Sequence, residues 1–335
     1  MKHLLPPVNQ YFKANLHTHS NVDDGKLSPE QLKEEYKKRG YSILAYTDHE
    51  TCFTHQDLND ENFLALTAYE MLTNQWELPT HHAKTYHFCF IAKDPNNRWQ
   101  IYNPKYRPSI AKYADQIVCD GFEERHYDVD EMNAIIARAN EKGFLVTYNH
   151  PVWSMQDTRD YIDLKGLWGV EVFNGECYMK GYDDNMSQAY QELLKAGNRL
   201  CPIAVDDTHS PWAIGRGWIM VGAKELTYSA VIEALEKGDM YASTGPEIHS
   251  LTLDGNKVKI TCSEAVTINI LPHCRMGQRY VAEPGTFLTE AEFDLTRWIN
   301  ECLDEWKDRA FFRICVTDAA GQKAYTRAYW RDEVL

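Results

Sequence analysis

The chain is expected to fold as an α/β barrel followed by a small β-sandwich-like domain. Three observations lead there. Hydrophobic runs of strand length, each ending in His, Asp or Glu, recur through the first two-thirds of the 335 residues. Capped helical patterns lie between several of them. After Gly245-Pro246 the pattern changes to short alternating runs joined by turn residues. Strands alternating with helices argue for a parallel sheet, and seven or eight such units close into a barrel whose mouth collects the polar strand ends.

In the first part the strand candidates are residues 11–16, 42–47, 63–68, 85–92, 144–148, 168–173, 201–205 and 217–222. Ser28-Pro29-Glu30 opens a helix over 30–39, with Ser28 as N-cap and proline at the first helical position, and Gly40 closes it. Asp128 or Asp130 opens a second helix that ends at Gly143. Further helical patterns over 185–195 and 228–237 stop before Gly197 and at Gly238. Residues 93–127, rich in Pro, Asn, Tyr and Arg, are too long for a simple connection. They read as an insertion covering the barrel mouth or as an added helical hairpin.

The later strands are expected at 248–253, 257–262, 266–271, 311–317 and 324–329, with turns at Asp254-Gly255-Asn256 and Ala319-Ala320-Gly321 and one helix over 294–308. The expected division is a barrel over 1–246 and a β-rich domain over 247–335.

A net charge of −14, without an acidic tail, disfavours a long nucleic-acid groove or an anionic membrane surface. Metal ions in a cleft would still attract a small anion. Nine cysteines occur singly and never as C-x-x-C, which reads as reduced core thiols in a cytoplasmic protein. No run has the length of a membrane span, so no membrane partner is expected, and the oligomeric state stays open.

His17 and His19 stand two apart at a strand end, so their rings share a face and can chelate one divalent ion. Asp24 follows, just before Gly25, which lets the loop fold back. His49 ends the next strand and Glu70 the third; a glutamate can hold two ions together. His150 follows the run FLVTY, and Asp207 and His209 repeat the same-face geometry on a late strand. His87, at the start of a strand-like run, is preferred over His81 and His82. Asp48 and Asp206 read as hydrogen-bonding or capping carboxylates. His3, His55, His81, His82, His126, His249 and His273 read as surface or structural.

LHTHSNVDDG, YTDHE, NHP and DDTHS resemble the motifs of the polymerase-and-histidinol-phosphatase (PHP) metallohydrolases. The stretch RGWIMVGAKELTYSAVIEALEKGDMYASTGPEI is similar to the branch that includes carbaryl-hydrolase-type enzymes, in which a β-sandwich follows the barrel. The resemblance covers most of residues 11–250 and is weaker over 93–127 and the C-terminal part. It implies a distorted (β/α)7 TIM-like barrel with two or three divalent ions. His17, His19, Glu70 and Asp207 would hold one; Glu70, His87 and His150 a second; Asp24, His49 and His209 a third. Asp23 stands where the family usually has Ser, and Glu50 follows TDH where small or amide residues are common. Neither removes a ligand, though both add negative charge.

The expected activity is metal-dependent phosphoesterase chemistry on a small phosphorylated substrate, a nucleotide or metabolite. A hydroxide bridging two ions, held by Glu70 and Asp207, would attack phosphorus in line. The mixed histidine and carboxylate donors suit Mn, Fe or Zn. Arg216, between two glycines, is the candidate phosphate clamp, its alternative being a salt bridge to one of many acids. Ser243 and Thr244 line the pocket or form a turn. Lys105 and Arg107, interleaved with Tyr102 and Tyr106, are candidates to close over a substrate. A competing reading is hydrolysis of a carboxylic ester, carbamate or amide, since the same nucleophile attacks carbon. A non-catalytic binding module is disfavoured by the complete ligand set.

Overall fold

Seven strands carry the candidate site in the computed structural model, which describes residues 1–76, 83–103, 111–122, 124–182, 187–302 and 309–334. They are β1 (Phe12–Asn15), β2 (Tyr41–Tyr46), β3 (Leu64–Asn74), β4 (Thr85–Ala92), β5 (Phe144–Tyr148), β6 (Gly169–Asn174) and β7 (Cys201–Val205). Most lie within a residue or two of the hydrophobic runs that predict them. β3 differs, continuing six residues past its expected end.

The strands hydrogen-bond in sequence order. β1, β2 and β3 are parallel, as are β5, β6 and β7. β4 runs antiparallel to both neighbours. Its reversal follows from chain length. A parallel return needs a crossover of about a dozen residues or more, and here Gln75 N already donates to Lys84 O at 2.8 Å. The expected alternation therefore breaks at β4, and it breaks again between β2 and β3, where a single short turn at Gln56–Leu58 replaces a helix. Beyond their C-terminal ends β1 and β7 meet. Thr18 bridges Thr208 in parallel, His19 N donates to Thr208 O at 2.9 Å, and Asp207 N donates to His17 O at 3.0 Å.

Four helices of some length among the described residues match the predicted helical patterns: α1 (Pro29–Lys37), α2 (Val129–Glu141), α4 (Ser187–Lys195) and α5 (Tyr228–Lys237). A short helix, α3 (Gly175–Met179), comes directly after β6. Ser28 caps α1 through a reciprocal pair with Gln31. Of the two expected caps for α2, Asp128 is used, accepting from Asp130 N and Glu131 N. Residues 183–186, at the start of the expected third helix, lie outside the described residues. α1 buries Leu32 and Tyr36, and the Tyr36 hydroxyl reaches both β1 and the segment after β7: it lies 2.7 Å from Thr208 Oγ1 and accepts from Asn15 Nδ2 at 2.8 Å.

Within the long insertion, Trp99–Tyr102 and Val118–Phe122 pair in parallel around a short 3-10 helix at Ala111–Gln116, so the described part is not a helical hairpin. Buried Gln100 ties it to the loop after His49, donating to Glu50 O at 2.9 Å and accepting from Cys52 N at 3.1 Å. Lys105, Tyr106 and Arg107, candidates to close over a substrate, lie outside the described residues, as do His81 and His82. Tyr102 is buried beneath Arg125, 3.9 Å from ring to guanidinium.

Trp218–Val221 (β8) pairs antiparallel with β1 and with Met240–Ser243 (β9). β9 in turn pairs with Lys323–Thr326, so the large sheet continues without a break through Phe311–Thr317, Thr267–Pro272 and Gln278–Val281. A second sheet of Ile248–Asp254, Lys257–Ala265 and Leu288–Asp294 faces this extension, and Lys2–His3 adds to its edge. Leu251, Val258 and Ile260 pack with Ile268, Ile270, Ile314 and Val316 between the two. The predicted strand at 324–329 is split in two, Lys323–Thr326 and Tyr329–Trp330. The helix expected over 294–308 is seen as Thr296–Cys302, with 303–308 outside the described residues. No disulfide joins the described cysteines, and no described helix is long and apolar enough to cross a membrane.

Removing the Tyr36 hydroxyl leaves the buried Thr208 hydroxyl short of a partner and cuts the link from Thr208 to the Asn15 amide. Tyr36→Phe should therefore lower unfolding stability by about 1–3 kcal/mol in a denaturant titration. An unchanged midpoint would show that this link does not hold the two strand ends.

Candidate metal centre

All nine predicted metal ligands come together at the C-terminal ends of the parallel strands and the facing part of the β3–β4 pair. His17 and His19 follow β1, His49 follows β2, His150 follows β5, and Asp207 and His209 follow β7. Glu70 and His87 lie within β3 and β4, where Glu70 is in register with Cys89 and Leu72 with His87. Asp24 sits on the loop after β1. That loop needs Gly25, since a Cβ there would stand 2.2 Å from His19 O. Three residues at the strand ends adopt left-handed backbone despite carrying side chains: Glu50 (φ 54°), His150 (φ 26°) and Asp207 (φ 52°). Strain of this kind persists only where the surroundings hold it.

At the centre, His17 Nε2 and His19 Nε2 are 3.1 Å apart. Both lie 3.2 Å from Asp207 Oδ1, and they lie 3.2 and 3.3 Å from Glu70 Oε2. His49 Nδ1 is also 3.2 Å from Glu70 Oε2. On the other carboxylate oxygen, Glu70 Oε1 is 3.0 Å from His87 Nδ1 and 3.4 Å from His150 Nε2. Asp24 closes the outer side, with Oδ1 3.6 Å from both His19 Nδ1 and His209 Nε2, and Oδ2 3.8 Å from His49 Nε2. Ligands about 2.1 Å from one ion stand about 3.0–3.4 Å apart at the corners of its coordination shell. The separations around Glu70 and between His17, His19 and Asp207 match that spacing, and those to Asp24 are a few tenths of an ångström wider. Asp207 Oδ1, although fully enclosed, has no hydrogen-bond partner, as expected of an oxygen placed for a cation.

Among the described residues, four groups of donor atoms are close enough to hold an ion: His19, Asp24, His49 and His209; His49, Glu70 and His87; His17, His150 and Asp207; and His17, Glu70 and Cys89. The first differs from the implied third set by gaining His19. Cys89 is a poor thiolate donor, because burial pushes its thiol up to about 11. The thiol instead accepts from Asn149 Nδ2 at 3.1 Å.

Electrostatics divide the histidines. Burial opposes charge on His17 and His19, but Asp207 and Glu70 outweigh it, raising His17 well above the ordinary 6.5 and His19 to about 10. Burial lowers His87, and burial together with His19 lowers His209 to about 4. Burial would raise Glu70 and Asp207, yet the surrounding imidazoles hold both well below the usual carboxylate range. The centre thus holds two anions and, without a metal, retains protons to balance them.

Sequence reasoning missed several partners. Glu171, fully buried in β6, accepts from His17 Nδ1 at 2.6 Å and from His150 N at 2.9 Å. Its signal was an acid inside the apolar run WGVEVF. Asn149 Nδ2 donates to Glu70 Oε1 at 2.9 Å, and Asn174 Nδ2 donates to Asp207 Oδ2 at 3.1 Å. Asp48 and Asp206 behave as expected. Asp48 accepts from Ser20 N and Oγ, while Asp206 accepts from the backbone N–H groups of Gly215, Arg216 and Gly217.

A cavity of about 260 Å³ opens over the cluster, lined by Asp24, His49, Glu70, His87, His150 and Asp207 together with Trp153, Glu176, Cys177, Lys180 and His209. Arg216 is not among them, which corrects its expected role as phosphate clamp. Asp206 grips its backbone, and its stem packs against α3, where a Cβ on Gly175 would meet Arg216 Cβ at 2.8 Å. Its guanidinium turns outward to Trp212 O and lines a separate cleft with Phe173, Tyr178 and Thr244. Ser243 donates to Pro246 O at 2.7 Å and so belongs to the turn, not the pocket. Glu50 is neutralised by Arg125, 2.7 Å from its carboxylate.

No family model and no curated protein matches the sequence. Among solved structures the chain is similar to a two-domain protein from Bacteroides vulgatus containing a predicted PHP-like metal-dependent phosphoesterase, at 16% identity and a TM-score of 0.45 over 98% of each chain. It is similar to an amidohydrolase from Chromobacterium violaceum with bound sulfate at 17% identity and a TM-score of 0.39, over 59% of this chain and 88% of that one. The lesion-specific endonuclease PfuEndoQ from Pyrococcus furiosus matches at 14% identity and a TM-score of 0.40, over 68% of this chain and 56% of that one.

Two predictions follow from the charge balance and the Glu171 contact. Imidazole protons must leave before a metal can take their lone pairs. Metal affinity should therefore climb as pH rises from 6.5 toward about 10, the range between the ordinary imidazole value and that of His19. Calorimetry in buffers of different ionisation enthalpy should register proton release at pH 7; none would contradict the charge state argued for His17 and His19. Glu171→Gln should weaken metal binding about 10–100-fold in a competition titration, because it loosens the His17 ring. Unchanged affinity would make Glu171 only a packing residue.

Proposed function

We propose that the protein is a metal-dependent hydrolase of the PHP type that cleaves a small phosphate ester. In this reading β1–β7 form a distorted seven-stranded barrel joined by the Thr18–Thr208 contact. Two or three divalent ions are held by His17, His19, Asp24, His49, Glu70, His87, His150, Asp207 and His209. One observation carries the proposal: His17 Nε2, His19 Nε2, Glu70 Oε2 and Asp207 Oδ1 converge with 3.1–3.3 Å between neighbouring donors. Buried polar atoms are not brought together in this way to pack a core.

Bound ions would supply a hydroxide nucleophile at neutral pH and offset charge building on the phosphoryl oxygens. The chain's own residues do the positioning. Glu171 accepts the Nδ1 proton of His17, which leaves Nε2 with a lone pair aimed at the cluster. Asn149 and Asn174 fix one oxygen each of Glu70 and Asp207, so the other oxygens stay available. Trp153 stands edge-on to His87 and His150, with ring centroids 5.5 and 5.1 Å away, and shields that side from water. A donor set of imidazole and carboxylate favours Mn, Fe or Zn over Mg.

Chelator-stripped protein should lose p-nitrophenyl phosphate hydrolysis and recover it with Mn, Fe or Zn. Glu70→Gln should cut kcat/KM by about 100-fold or more, since Glu70 stands between the candidate ion positions. Full activity after stripping would contradict the proposal. Turnover of aryl esters or carbamates, with phosphate esters untouched, would move the reading to attack at carbon.

A further inference from the structure

We infer that Glu176 and Lys180 form the substrate-recognition pair of this site, selecting a phosphate ester that carries a hydroxyl near its phosphoryl group. The inference rests on the phosphoesterase reading above and names the substrate class. Lys180 is the one lysine or arginine among the described residues lining the cavity over the cluster, and Glu176 lines the same wall. They are four residues apart across α3, and Lys180 Nζ lies 3.1 Å from Glu176 Oε1.

Neither is placed to hold a metal. Glu176 belongs to none of the four donor groups, and an ammonium has no lone pair to give. Yet Glu176 is 3% exposed, and its second oxygen, Oε2, is buried without a partner. An ionised carboxylate only accepts, so this oxygen requires a donor. A phosphoryl oxygen cannot provide one, whereas a hydroxyl on the same substrate can. Lys180 is half-exposed and makes one ion pair, which leaves N–H groups for a phosphoryl oxygen.

The pair is also registered to the cluster. Glu176 N donates to Asp206 O at 2.8 Å, immediately before Asp207. Asn174 accepts from Cys177 N at 2.9 Å as the cap of α3, while its amide holds Asp207 Oδ2 at 3.1 Å. One asparagine therefore sets both a candidate metal ligand and the helix that carries the pair. Trp153 lines the same cavity and offers an apolar face for the remainder of the substrate.

The test uses manganese-loaded protein of verified metal content and thermal stability. Inorganic phosphate is titrated calorimetrically into wild type, Lys180→Ala and Lys180→Arg, and kcat/KM is measured for glycerol 1-phosphate, phosphoethanolamine and p-nitrophenyl phosphate. Lys180→Ala should weaken phosphate binding about 10–100-fold, with Lys180→Arg restoring most of it. Wild type should prefer glycerol 1-phosphate to the other two esters, and Glu176→Ala should fall further on glycerol 1-phosphate than on p-nitrophenyl phosphate. Equal phosphate affinity in Lys180→Ala, an equal fall on both esters in Glu176→Ala, or a wild-type preference for phosphoethanolamine each overturns the inference. Wild type that holds metal but hydrolyses none of the esters overturns the phosphoesterase reading instead, and the phosphate titration still decides the role of Lys180.

Discussion

Everything at the strand ends that form the cluster depends on one buried carboxylate. Glu70 is 1% exposed, and its two oxygens lie 3.0–3.4 Å from nitrogens of five imidazoles, those of His17, His19, His49, His87 and His150. An anion so enclosed is tolerable only if positive charge surrounds it, either on protonated rings or on metal ions. The antiparallel β3–β4 pairing is what makes the arrangement possible. It sets Glu70 opposite Cys89 and brings His87 in from the adjoining strand, while the parallel strands deliver their ligands end-on.

Two further acids make the strand ends rigid without entering the cluster. Asp48, next to His49, holds the Ser20 backbone and hydroxyl and so fixes the loop after His19. Asp206, next to Asp207, gathers three consecutive backbone N–H groups at 2.7–2.9 Å and fixes the loop from Gly215 to Gly217. Each acid braces a loop while its neighbour in sequence faces the cluster. This division of labour explains why Asp-His and Asp-Asp pairs occur at these strand ends. It also accounts for the left-handed backbone at Asp207, since the loop around it is held from both sides.

Much of this was legible in the sequence because the signals were local. A hydrophobic run ending in a polar residue marks both a strand and the direction of its end, and His17, His19, His49, His150 and Asp207 all followed from that. The choice of His87 rested on strand character and agrees with its place in β4. What the sequence concealed were relations across the fold. Glu171 looked like part of an ordinary strand, because its partner His17 is 154 positions away. Arg216 looked like a phosphate ligand, because nothing local reveals that α3 packs on its stem. Lys180 drew no notice, because the cavity it lines takes its other walls, among them His49, His87, Trp153 and His209, from distant parts of the chain. The reversal of β4 was hidden in the length of a connection rather than in any residue.

The most direct test of this account is an anomalous-difference map from crystals of the protein grown with manganese. The account predicts peaks between Glu70, Asp207 and the rings of His17 and His19, with further density toward His87 and His150 or toward Asp24 and His209. A map without a peak beside Glu70, with the same side chains held by hydrogen bonds alone, would contradict it.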